Sequence, residues 1–415
     1  MPLKTKQLLV TLLFFCSTLL STQLKSADFE PSEAGFNSWL NDFKQKAKNR
    51  GISETTLEQA FKDITFSRDV VKSDRKQPEF TQTFFQYFDR AVSKYRIKNG
   101  QKYYKKHKKL LDEVTQKYGI PGRYLVAFWG METNYGSYTG NLPIIQSLAT
   151  LAYDPRRSKF FTNELLSALT ILDKGHVNLE QMKGSWAGAM GQCQFMPSNY
   201  LRYAVDGDGD GKINLWDSLP DVFHSAGNFL NQLGWQTTEN WGREVILPKN
   251  FNYSLADNKT ARPLKYWDDL GITLAGAKKL PHANMNARLL LVANYKGPAF
   301  LVYENFRVIK RWNNADKYAI AVGHLADQII HRPALSKSAP KNDKSLSRTQ
   351  IKELQTYLNL LGYTTGKPDG IAGSQTRKAL RAFQAKRDLP ADGFPNLEIL
   401  NILKKAIDGN IKIDS

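Results

Sequence analysis

Apolar positions along this 415-residue chain fall into helical stripes separated by turn residues. Phe36, Leu40, Phe43 and Ala47 recur at i, i+4, i+7 and i+11, one face of an amphipathic helix. A second helix is predicted over 103–117, with Gly119 past its end. Pro121 then stands at a first-turn position, where its missing N–H costs nothing. The helix it opens carries Leu125-Val126-Ala127-Phe128-Trp129-Gly130-Met131, apolar on every side, so it belongs in a core. Runs at 244–247, 289–293 and 300–310 predict short strands. Further on, Ile351, Leu354, Leu358 and Leu361 form another stripe, stopped by Gly362. Turns at Asp369-Gly370 and Asp392-Gly393 separate it from helical segments at 376–385 and 397–403. The pattern predicts an α+β fold, mainly α with a small β portion, followed by a three-helix module.

The same pattern sets boundaries. Lys4 and Lys6 precede an uncharged run at 8–20, too short for a membrane span of ~20 residues but suited to a secretory signal core. Residues 1–27 are therefore read as a signal peptide, and the protein as exported to the periplasm. Cys16 follows Phe14-Phe15, which are too bulky for lipoprotein processing and argue against a lipid anchor. Residues 332–346 hold two prolines, several Ser and Lys and no aromatic residue, and read as a solvated linker. All eight Trp precede it. The chain thus divides into a large domain over 28–331 and a small one over 347–407.

Charge narrows the partners. There are 58 Lys+Arg against 39 Asp+Glu, a formal +19. Residues 1–27 hold three Lys and no acid, so the remainder keeps 55 bases against 39 acids, or +16. An exported chain of that charge meets an anionic wall or membrane surface rather than nucleic acid. Two cysteines cannot build a disulfide framework, and the six His include no H-x-x-x-H pair. There is no Walker A motif and no G-x-G-x-x-G, so nucleotide chemistry has no support.

Three segments carry candidate chemistry. Glu132 is the only acid between Val114 and Tyr153 and closes the apolar run. A carboxyl in aromatic surroundings has its pKa raised by desolvation, which suits general-acid cleavage of a glycosidic bond. A buried Glu satisfied by backbone donors is the other reading. The stretch Gly184-Ser185-Trp186-Ala187-Gly188-Ala189-Met190-Gly191-Gln192-Cys193-Gln194-Phe195-Met196-Pro197-Ser198 combines small residues with uncharged hydrogen-bonding groups. Ser185, Gln192 and Gln194 would fix sugar hydroxyls and amides while ring faces pack on apolar walls. Tight helix packing explains the small residues equally well. Cys193 reads as a small buried hydrophobe.

The third segment, Asp206-Gly207-Asp208-Gly209-Asp210-Gly211-Lys212, continues to Asp217 and follows D-x-D-x-D-G. Asp206, Asp208 and Asp210 would give carboxylates to a structural Ca2+, and Lys212 its backbone carbonyl. Position 12 is Asp217 instead of the usual Glu, and Asp221 is a second candidate for the closing ligand.

Together W-G-M-E-T-N-Y-G, G-S-W-A-G-A-M-G-Q-C-Q-F-M-P-S and D-G-D-G-D-G-K-I-N-L-W-D, in this order, resemble the lytic murein transglycosylase B family over about 36–330. The resemblance implies a lysozyme-like catalytic domain over 28–331. It implies cleavage of the β-1,4 bond between N-acetylmuramic acid and N-acetylglucosamine, leaving a 1,6-anhydro ring without addition of water. It places Glu132 as catalytic acid and base, and Ser185 and Gln194 on sugar. Arg156 and Arg157 match paired arginines facing peptide or sugar, and Tyr87 fits a groove tyrosine. Asn313 and Tyr318 would line the site. Trp312 replaces a Tyr of some members and keeps a stacking face; Phe229 replaces a groove Tyr and lacks its hydroxyl. The family's final calcium ligand lies beyond position 12, which favours Asp221 over Asp217.

The C-terminal L-Q-x-x-L-x-x-L-G-Y…D-G-I-A-G…A-L-R-A-F-Q resembles the peptidoglycan-binding domain type 1 over about 347–403. It implies a tether that raises effective substrate concentration. Peptidoglycan glycan strands are the expected partner, with other cell-wall enzymes as further candidates. A muramidase using water and a non-catalytic wall-binding scaffold remain as alternatives.

Overall fold

The computed structural model describes residues 31–75, 82–339 and 344–411. The predicted signal peptide lies outside the described residues. The first helix, Glu33–Lys48, starts where the Ser32 hydroxyl accepts from the Gly35 N–H, and it buries the Phe36, Leu40, Phe43 and Ala47 stripe. That stripe packs against a helical hairpin, Ile144–Tyr153 and Ser158–Asp173, which also receives the short helices Glu54–Ala60 and Arg68–Arg75.

The apolar helix is Gly122–Thr133, and it is the axis of the main core. Helices Lys94–Lys106, Lys108–Tyr118, Leu219–Gln232 and Asp316–Ile329 surround it. A helix apolar on all sides needs neighbours on all sides, and the chain supplies them from both before and after it.

The helix expected over 103–117 is two helices, broken at His107. The break has a packing cause. The first segment lays Gly100 against Ile329 and Tyr135, while the second lays Leu111 against Gly122. One straight helix cannot meet both surfaces. The His107 ring fills the corner, 6.1 Å from Tyr103 and 6.0 Å from Trp129.

Among the described residues six strands form two antiparallel sheets: β1 (Leu142–Pro143) with β2 (Lys183–Gly184), and β3 (Gly242–Val245), β4 (Arg262–Pro263), β5 (Asn286–Leu291) and β6 (Ala299–Val302) in the order β3-β6-β5-β4. The strand expected over 300–310 ends at Val302, and a helix, Glu304–Trp312, takes over. Phe306-Arg307-Val308 alternates as a strand would, but the buried set is Asn305, Phe306, Val308 and Ile309, a helical spacing. Glu304 in the first turn and Lys310 and Arg311 in the last complement the helix dipole. This four-stranded sheet has its own core, in which Trp267 is fully buried among Val245, Leu289, Leu301 and Tyr303.

The C-terminal module is the expected three helices, Arg348–Leu360, Ser374–Lys386 and Leu397–Ile411, around Leu354, Leu358, Leu380, Phe383, Leu400 and Leu403. Two buried glutamines shape its turns in the same way. Gln355 Oε1 accepts from Asp369 and Gly370 N–H while its Nε2 donates to Asp369 Oδ1 at 2.9 Å. Gln384 Oε1 accepts from Gly393 N–H and its Nε2 donates to Asp392 Oδ1, both at 2.8 Å.

The first half of the linker is fastened rather than solvated. Ser336 donates twice to the Glu244 carboxylate, Lys337 Nζ donates to the Gly297 carbonyl, and Arg332 pairs with Asp327 at 2.9 Å. The Tyr295 N–H donates to Asp392 Oδ2 at 2.8 Å, which ties the module to the loop between β5 and β6.

Because the module's core is separate and small, truncating Leu380, fully buried there, should cost about 2–5 kcal/mol. Calorimetry of Leu380→Ala is expected to show the module's transition lowered or lost, with the main transition in place. One common shift of both would contradict separate cores.

Candidate active site

Glu132 sits in the last turn of Gly122–Thr133, and the chain leaves that helix through three consecutive left-handed residues: Asn134 (φ 51°), Tyr135 (φ 64°) and Gly136 (φ 76°). Asn tolerates this region; Tyr135 does not readily, so it must be held there. Its ring packs on Gly130, where a Cβ would lie 2.6 Å from ring atoms, and its hydroxyl donates to the Arg96 carbonyl. The sharp exit stops the helix one residue after the acid and leaves the carboxyl at the edge of the core.

Rings wall that edge. Trp312 stacks on Phe128 with centroids 4.3 Å apart, and meets Phe229 at 5.0 Å and Phe195 at 5.3 Å. Tyr318, buried on the helix Asp316–Ile329, donates its hydroxyl to Glu132 Oε1. Desolvation raises the Glu132 pKa to about 7, against the opposing pull of hydrogen bonds from Tyr318 and Trp312. No second carboxylate is among the groups that shift it. Tyr87 lies close enough to Tyr318 and to Arg96 to act on both. Asn313 ends the Trp312 helix and is exposed beside it.

The glycine-rich stretch folds into tight turns. Ser185 Oγ accepts from the Ala189 N–H at 3.0 Å, and among the described residues no acceptor takes its proton. Gln194 has φ 49° and spends its Nε2 on the carbonyls of Thr139 and Gly191, both at 2.9 Å. Its Oε1 is the end left for a ligand. Gln192 does not serve the groove as expected. It is 8% exposed and its amide is consumed internally, between Trp129 Nε1 and the Trp216 carbonyl. Phe229, expected in the groove, is buried behind Trp312 and against Tyr203. Cys193 is buried, and burial pushes its thiol well above the usual range.

Arg156 and Arg157 are not among the groups acting on Glu132. Both pair with the buried Asp74 of the helix Arg68–Arg75, which holds Asp74 below the usual carboxylate range despite its burial. Arg75 in turn pairs with the buried Asp154 at 2.7 Å. Asp74 is a partner with no signature in the sequence pattern, being 82 residues from Arg156.

In the acidic loop, carboxylate oxygens of Asp206, Asp208 and Asp210 all lie within 4.8 Å of one another. Asp221 is fully buried and clips the loop shut, accepting from Gly207 N–H at 2.7 Å and Asn214 N–H at 2.6 Å. Burial raises its pKa, and the charges of Asp208 and Asp206 add to the rise. Three converging carboxylates with a fourth nearby fit a hard divalent cation bound through oxygen. Asp217 stands apart, exposed and 3.4 Å from Asn214 Nδ2, and Lys212 gives its N–H to Asp210 Oδ1.

Comparisons agree with this geometry. Residues 35–327 match the transglycosylase SLT domain family and residues 347–403 the peptidoglycan binding domain family. The chain is 31% identical over 255 residues to membrane-bound lytic murein transglycosylase B of Escherichia coli K12, covering 59% of this chain and 67% of that protein. The crystal structure of SltB3 from Pseudomonas aeruginosa in complex with NAG-anhNAM-pentapeptide superposes with a TM-score of 0.86 at 44% identity, over 89% of this chain and 99% of that one. The Escherichia coli lytic transglycosylase SLT35 in complex with calcium gives 0.61 at 27% identity, over 72% and 93%.

The Glu132 pKa carries a stability consequence. The group binds its proton more tightly folded than unfolded, so its contribution is present below about pH 4.5 and lost as pH rises through about 7. Glu132→Gln removes that loss. Its Tm should exceed that of the natural protein at pH 8.5, by an amount equivalent to about 3 kcal/mol, and match it at pH 4.5. Equal Tm values at pH 8.5 would place the carboxyl in water.

Proposed function

The chain belongs to the transglycosylase SLT domain family, and on that premise we propose that Glu132 is its single catalytic acid and base. The protein is a lytic murein transglycosylase: it cleaves the β-1,4 bond between N-acetylmuramic acid and N-acetylglucosamine in peptidoglycan and leaves a 1,6-anhydro end. The observation that carries the role of Glu132 is its desolvated carboxyl, raised to about 7 with no carboxylate among the groups that act on it in the described residues.

Glu132 begins protonated and gives its proton to the glycosidic oxygen as the C1–O4 bond breaks. The rings around it keep water from the cationic sugar. The carboxylate then takes the proton of the muramic C6 hydroxyl while O6 bonds to C1. Atoms and charge balance, and Glu132 ends as it began. The Tyr318 hydroxyl, donating to Oε1, stabilises the carboxylate between the two transfers. Ordinary glycosidases place two carboxylates across the bond; here the substrate's own hydroxyl replaces the second one's water.

Ser185, Gln194, Tyr87, Trp312 and Asn313 are the proposed sugar contacts. The proposed task of Arg156 and Arg157 is at the peptide end, where their side chains remain 45% and 38% exposed around Asp74. Asp206, Asp208 and Asp210 would hold calcium, with the Lys212 carbonyl, and Asp221 or Asp217 would complete the set. The ion would brace the loop and takes no part in bond cleavage. Residues 1–27 would direct the chain to the periplasm, 28–331 cut, 332–346 connect, and 347–407 bind the wall. Among the described residues no helix is long and apolar enough to cross a membrane.

Purified peptidoglycan digested with the protein should yield muropeptides one water lighter than reducing ones by mass spectrometry, and none with Glu132→Gln. Reducing ends would mean hydrolysis, and turnover by Glu132→Gln above a few per cent of the natural rate would sink its role. In the natural protein, kcat should fall as pH rises through about 7, the value to which burial lifts Glu132. Chelation should lower Tm, and calcium, but not magnesium, should restore it; Asp208→Asn should blunt that response.

A further inference from the structure

Gln192 makes four hydrogen bonds, two to each of two segments. Its Oε1 accepts from Trp129 Nε1 at 2.7 Å, and its backbone carbonyl accepts from Thr133 Oγ1 at 3.0 Å. Its Nε2 donates to the Trp216 carbonyl at 2.6 Å, and its backbone N–H donates to the Leu215 carbonyl at 2.7 Å. Trp129 and Thr133 flank Glu132 on the last turn of the buried helix. Leu215 and Trp216 lie at the end of the acidic loop, whose Asn214 is clipped to Asp221. The joint is tight: Gly136, at the helix exit, has no room for a Cβ against Gln192 Oε1.

A carboxamide suits this joint, since it accepts at one end and donates at the other. A carboxylate would face the Trp216 carbonyl with an acceptor, and an aliphatic side chain would leave a buried indole N–H and a carbonyl unpaired.

We propose that Gln192 is a positioning residue for Glu132, transmitting the conformation of the acidic loop to the end of the catalytic helix. This rests on the reading of Glu132 as the acid. Turning the last helical turn about Trp129 and Thr133 would re-aim the carboxyl and admit water, and small misplacements of a catalytic group are costly in rate.

The test uses the full chain with Gln192→Leu, Trp129→Phe and the double variant, read by kcat, KM, the pH profile of kcat and Tm. Trp129→Phe keeps an aromatic ring towards Phe223 and Tyr135 and removes the N–H together with part of the indole. Each single variant should lose about 10–100-fold in kcat with KM within about 3-fold of the natural value, as expected of misaimed chemistry. The alkaline limb should move to lower pH as water reaches Glu132. The double variant should be no worse than Gln192→Leu. Calcium should raise the Tm of the natural protein and of Gln192→Leu alike, but move the alkaline limb of the natural protein alone.

Unchanged kcat and pH profile in Gln192→Leu, additive losses in the double variant, or a natural limb indifferent to calcium would each overturn the inference. Glu132→Gln in parallel separates the two claims. If it is inactive while Gln192→Leu turns over normally, the positioning role fails alone; if it is active, the acid assignment fails first.

Discussion

The bond from the Tyr318 hydroxyl to Glu132 Oε1 joins residues 186 apart, and the site is organised around the demand it answers. A carboxyl raised to about 7 has lost most of its water, and water is what ordinarily keeps a carboxylate charged. Something must support the charge when the proton leaves, yet a cation would support it so well that the proton would not stay. A phenol lies between these extremes. Trp312, stacked on Phe128 and backed by Phe195 and Phe229, lines one side of the carboxyl.

The position of that carboxyl is fixed by turns rather than by long elements. The left-handed exit at Asn134, Tyr135 and Gly136 stops the helix beside the acid, and Gly130 gives the Tyr135 ring its seat. Gln194 also stands in the left-handed region, and its amide fastens Thr139 and Gly191. A rigid helical frame carries strained joints where the chemistry needs unusual backbone, and the frame's burial offsets their strain.

Much of this was legible in the sequence. The stripe from Phe36 to Ala47, the all-apolar run before Glu132 and the Asp/Gly loop follow from periodicity and composition, which are local signals. What was not legible is what depends on distant neighbours. The break at His107 comes from Leu111 meeting Gly122 while Gly100 meets Ile329. The turn from β6 into a helix at Tyr303 comes from which face of 304–312 finds the core. Gln192 looked like a groove amide because its type and neighbourhood suit one; only the fold places Trp129 and Trp216 on either side of it. Asp74 carries no signal at all, and its pairing with two arginines needs a contact 82 residues long.

The ring-lined wall around Glu132 has a thermodynamic consequence. On the proposed mechanism, the reaction exchanges one acetal for another: C1 trades a bond to a neighbouring sugar for a bond to its own O6. No excess of solvent drives such an exchange forward, as it drives hydrolysis. The drive must come from the freedom of the severed strand, so the direction of the reaction is governed by how readily the cut end diffuses away.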